Sequence, residues 1–101
     1  MQTATILIGN SDNKLTQEEW HYFVLDMQLQ IDRKSHKIEF FGGCYNWAPW
    51  QNVSWVVTGD DFTVLIESIR SLCRKYRQDS IAVILGKTEF VKPNELPSGE
   101  W

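Results

Sequence analysis

The sequence predicts an α+β domain whose elements run in the order strand, helix, strand, strand, helix, strand. Three observations carry that prediction. Apolar and polar residues alternate in several short runs, a capped amphipathic helix follows the first of these, and a second amphipathic helix follows the third. At 101 residues the chain has room for one core. Residues 1–92 are expected to form a single domain, with 93–101 as a C-terminal tail.

Thr3 to Ile8 is short, apolar and β-branched, and the turn-forming residues Gly9 to Asn13 stop it. A helix start follows. In Thr16-Gln17-Glu18-Glu19 the Thr16 hydroxyl can accept from the Glu19 amide while the Glu19 carboxylate reaches back to the Thr16 amide. Leu15 and Trp20 occupy the two positions that pack across such a start. The helix should run to about Arg33, burying Trp20, Phe23, Val24, Met27 and Ile31 at helical spacing. Tyr22, Leu25 and Leu29 lie nearly opposite, where a surface helix usually carries polar groups.

Ile38 to Phe41 reads as the second strand and Val53 to Thr58 as the third. Gly59-Asp60-Asp61 then offers an aspartate cap to a helix with Phe62, Leu65, Ile66, Ile69, Leu72, Cys73 and Tyr76 on one face. Arg70, Arg74 and Arg77 line its far side and suit the negative end of the helix dipole. Ile81 to Leu85 is the last strand, with Gly86 a candidate bulge before Lys87 to Val91.

This order is that of the ferredoxin-like fold, a four-stranded antiparallel sheet with both helices on one face. Right-handed crossovers make the first and third strands central. The end of strand one, the hairpin between strands two and three, and the entry to strand four then share one edge of the domain.

That edge holds most of the unusual polar chemistry. The segment from Gly42 to Asn52 is too long for a plain reversal and contains Cys44, Tyr45, Asn46, Trp47, Pro49 and Trp50. Candidate binding residues at this edge are Asn10, Asp12, Trp47, Trp50, Gln51, Asn52, Arg77, Gln78 and Asp79, because recognition groups tend to sit on loops of a rigid scaffold. A structural lid is the competing expectation. Asn and Asp after a strand often bond their own backbone, and Gln78 to Ser80 can satisfy the end of the second helix.

Composition narrows the partners. A net charge of −3 argues against nonspecific nucleic-acid binding, which depends on cations placed on phosphates. No run of apolar residues is long enough to cross a membrane. The first residues carry no secretory pattern, and two cysteines without metal-like spacing point to a reducing, cytoplasmic setting. A Cys44–Cys73 disulfide stays open at this point. No histidine falls beside a nucleophile, and no metal or cofactor is implied.

The expectation is a non-enzymatic binding module that presents the Trp47/Trp50 edge to a small polar or nucleotide-like ligand, or to a protein partner. One alternative is an enzyme acting on a nucleotide-like substrate through Asp79 and Arg77. Another is RNA binding on the open sheet face, although Thr3, Thr5, Leu7, Ser54, Val56 and Thr58 would give that face no aromatics. A homodimer through the open sheet face, or through Tyr22, Leu25 and Leu29, is a further expectation.

Overall fold

A computed structural model describes residues 1–45 and 51–93. The strands are β1 (Gln2–Gly9), β2 (Lys37–Cys44), β3 (Asn52–Gly59) and β4 (Ala82–Lys87), and the helices are α1 (Gln17–Lys34) and α2 (Thr63–Lys75). The strands form one antiparallel sheet in the order β2-β3-β1-β4, the ferredoxin-like arrangement. Trp47, Trp50 and most of the tail (94–101) lie outside the described residues.

The core follows from two periodicities. Ala4, Ile6 and Ile8 on β1 and Val53, Trp55 and Val57 on β3 turn toward the helices and are buried. Trp20, Phe23, Val24, Met27 and Ile31 supply the facing stripe of α1, and Phe62, Leu65, Ile69, Leu72 and Tyr76 the contribution of α2. Each such aliphatic or aromatic side chain contributes roughly 1.5–3 kcal/mol through lost water contact. The buried Trp55 indole donates to Gln28 Oε1 on α1 at 2.6 Å, so its polar atom enters the core with a partner.

The start of α1 is a capping box. Glu19 N–H donates to Thr16 Oγ1 and Thr16 N–H to Glu19 Oε1, both at 3.1 Å, with Leu15 and Trp20 buried beneath. Tyr22, Leu25 and Leu29 are exposed on the outer face of α1.

Several boundaries differ from the sequence reading. β2 continues through Gly42 and Gly43 to Cys44, because Gly43 at φ 139° lets the strand pass close to Asn52, where a side chain would collide with the Asn52 carbonyl. A register shift at Glu39 puts Phe40 opposite Val56 and Phe41 opposite Trp55. Phe40 therefore stands on the open sheet face, 53% exposed, while Phe41 leans on Trp55 with ring centroids 5.4 Å apart. Thr58, expected outside, is buried. Phe62, not an aspartate, holds the cap position of α2, and Asp61 instead accepts from Thr63 N–H and Oγ1. β4 runs through Gly86 without a bulge and ends at Lys87. Both cysteines are free thiols.

α1 and α2 are tied by Asp26, whose carboxylate accepts from Tyr76 Oη at 2.5 Å and Lys75 Nζ at 3.0 Å. Burial pushes Asp26 up, but the bonds from Tyr76 and Lys75 outweigh it and hold the carboxyl below its ordinary 3.8. A depressed carboxyl contributes stability above its unfolded pKa and loses it as pH falls through the folded value. Denaturation followed from about pH 5 to about pH 2 should show acid destabilisation that is shallower in Asp26→Asn. An identical slope in the two proteins would mean that Asp26 does not link the helices.

Candidate functional site

Three connections meet at one rim of the sheet: the β1–α1 loop, the β2–β3 hairpin and the α2–β4 connection. The first of them touches both others. Asn10 N–H donates to the Gln51 carbonyl at 2.9 Å, and Asn10 Nδ2 donates to Gln51 Oε1 at 3.1 Å. Lys14 Nζ reaches the Arg77 carbonyl at 3.1 Å and the Asp79 carboxylate at 3.4 Å.

The amide cluster is internal. Asn10 and Gln51 are buried. Asn10 Oδ1 accepts Leu15 N–H and its Nδ2 also donates to the Leu15 carbonyl, each at 3.0 Å, which closes the loop on itself. The Gln51 side chain exchanges bonds with Gln17 and donates to the Tyr45 carbonyl at 3.1 Å. That carbonyl also receives the Trp20 indole N–H at 2.8 Å, and the Tyr45 hydroxyl meets His21 Nδ1. Both stems of the hairpin, Tyr45 and Gln51, are thus fixed to the start of α1. Among the described residues no buried side-chain nitrogen or oxygen lacks a partner.

At α2 the chain leaves through a left-handed residue. Arg77 sits at φ 56°, with Gln78 N–H bonded to the Cys73 carbonyl at 2.9 Å and Arg77 N–H to the Arg74 carbonyl at 3.1 Å. These bonds close the helix, and glycine is the usual residue at the left-handed position. Lys14 Nζ on the Arg77 carbonyl places a cation at the negative end of the helix dipole. The Arg77 guanidinium meets Glu19 at 2.6 Å with its side chain 57% exposed. The hydrogen bond from Arg77, then the Thr16 backbone bond, holds the Glu19 carboxyl below its ordinary 4.5.

The sequence-derived candidates therefore divide. Asn10 and Gln51 are brought together but spent on the latch. Asp12 is exposed and accepts Lys14 N–H at 3.1 Å, an ordinary loop closure. Gln78 completes the end of α2, its Nε2 on the Tyr76 carbonyl and its own carbonyl accepting Cys73 Sγ–H. Asn52 is exposed in the first position of β3. Arg77 and Asp79 stand at the rim surface beside Lys14 and Glu19. Lys14 and Glu19 were missed as rim residues, for which the basic residue before a capping box was the available signal, and Tyr45 was placed at this edge but not among the candidate contacts. The Asp79 side chain is 99% exposed and pairs with Lys14. Among the described residues no group of three or more His, Cys, Asp or Glu could hold a metal, and no helix is long and apolar enough to cross a membrane.

Comparison with known proteins adds no relative: no family model matches the chain, and no curated protein and no solved structure matches it.

A double-mutant cycle reads the latch. Asn10→Ala and Gln51→Ala should each cost roughly 1–3 kcal/mol by chemical denaturation, since each leaves buried polar groups unpaired. Their sum should exceed the cost of the double variant by at least about 0.5 kcal/mol. Strict additivity would show that the two amides do not act together.

Proposed function

We propose that the protein is a non-enzymatic interaction module whose rim binds a protein partner, with Arg77 as a central contact. The observation that carries the proposal is the backbone at Arg77. A left-handed conformation costs a residue with a Cβ roughly 1–2 kcal/mol, and glycine would avoid it. The chain accepts that strain and sets a guanidinium at the surface between Glu19 and the Lys14–Asp79 pair. Backbone strain of this kind tends to collect where a side chain has work to do, and arginine is a frequent anchor in protein interfaces.

The charge pattern adds support. Lys14, Glu19, Arg77 and Asp79 form exposed pairs of alternating sign, a surface that selects a partner by complementarity. A small polar ligand is less well served, because the amides that would direct it are buried and committed to each other. Trp47 and Trp50 belong to the proposal through sequence alone: they lie between Tyr45 and Gln51, both of which are bonded to the start of α1.

Arg77→Gly separates binding from folding. It should be about 1 kcal/mol more stable than Arg77→Ala, yet lose at least about tenfold in retention of the protein partner captured by the immobilised chain. Arg33→Glu, at the opposite end, should retain that partner. Equal retention by wild type and Arg77→Gly, or no partner held above background, would refute the proposal.

A further inference from the structure

We infer that the outer edge of β4 pairs with the same edge of a second copy, antiparallel about a twofold axis at Val83, to give one continuous sheet. The two edges of the sheet are built differently. β2 carries the protections found on edges that stay unpaired: a bulge at Glu39, charges at Lys37 and Glu39, and the Gly42-Gly43 pair. β4 has no bulge and no charge along Ala82-Val83-Ile84-Leu85, its Gly86 and Lys87 coming only at the end. It is apolar on both faces, pairs with β1 without a register shift, and leaves Ile84 and Leu85 60% and 54% exposed. Among the described residues nothing pairs with its other side. Such an edge is a template for another strand.

The occupant follows from charge and register. Two antiparallel strands related by a twofold keep matched faces only when the axis falls on a residue, since a one-residue slip turns every side chain to the wrong face. Centred on Val83, the pairing sets Ile84 opposite Ala82 within the strands and, where the ladder runs on past the start of β4, Leu85 opposite Ile81 and Lys87 opposite Asp79 of the other copy, twice over. Centred on Ile84, it would oppose Asp79 to Glu89 and Lys87 to Ile81. Centred on Ala82, it would oppose Lys87 to Arg77 and Leu85 to Asp79. Like charges directly across a ladder destabilise it, so only the Val83 register matches both charge and apolarity.

The helix side of the edge is shaped for the same occupant. A groove of about 490 Å³ runs between α2 and β4, lined by Ile66, Ile69 and Cys73 on one wall and Ile81, Val83 and Leu85 on the other, with Asp79 at its end. The second copy's Leu85 and Ile81 would extend over this groove. The contact is a short strand edge, so the dimer should be weak and concentration-dependent, and it leaves the two rims pointing in opposite directions.

Sedimentation velocity of the full chain, from micromolar to near-millimolar concentration, tests the inference. Wild type should show a monomer–dimer equilibrium. Lys87→Glu and Asp79→Lys should each weaken it roughly ten- to thirtyfold, and the double charge swap should restore it, with circular dichroism confirming the fold in each case. Lys87→Glu alone, far from the rim, tests the pairing if Asp79→Lys disturbs Lys14. A monomer at every concentration, a dimer indifferent to either reversal, or an edge that takes up a foreign extended peptide while the chain stays monomeric would each overturn it.

Discussion

The interaction on which the rest of the structure depends is the buried pair of amides, Asn10 and Gln51. Two polar side chains enclosed at the end of an apolar core would be costly if either lacked a partner. Here each bonds the other and the surrounding backbone, and the cluster reaches the start of α1 through Gln17, Leu15 and the Tyr45 carbonyl. A satisfied network of this kind specifies one arrangement, because almost any displacement leaves a donor or acceptor bare. It converts two loops that β-sheet topology merely brings near into one rigid corner.

That corner explains the division of labour at the rim. The amides Asn10 and Gln51 are inside and structural, while the outward positions belong to the charged Lys14, Glu19, Arg77 and Asp79. Lys14 serves both roles: its ammonium bonds the Arg77 carbonyl just past the end of α2, and its segment carries the latch residue Asn10. The open sheet face, with Phe40, Leu7 and Ile84, and the β4 edge lie apart from Lys14, Glu19 and Arg77, and Asp79 is the one rim residue that the proposed self-pairing also engages.

Much of the architecture was legible in the sequence because its periodicities are strong. The alternation of Ala4, Ile6 and Ile8 and the stripe from Trp20 to Ile31 match the buried residues one for one. The capping box at Thr16 announced itself through two side chains three positions apart in the local sequence. What failed depended on partners elsewhere in the chain. Gly42 and Gly43 look like a turn, yet they extend β2 because Asn52 passes close by. The shift at Glu39 is a relation between two strands, so no local pattern could show that Phe40 would stand on the open sheet face and Phe41 on the side of Trp55. Asn10 and Gln51 looked like ligand groups because burial and pairing across 41 positions are invisible in composition. Arg77 hid the end of α2 because glycine is the residue that normally marks it.

The most direct measurement of the latch is amide hydrogen exchange on the native chain, resolved residue by residue. The N–H of Asn10 lies beyond the end of β1, in a loop that would ordinarily exchange quickly, but it donates to the Gln51 carbonyl inside the cluster. The account predicts protection at Asn10 and Leu15 comparable to the central residues of β1 and β3, and much greater than at Ser11 or Asp12. Exchange at Asn10 as fast as at those neighbours would contradict it.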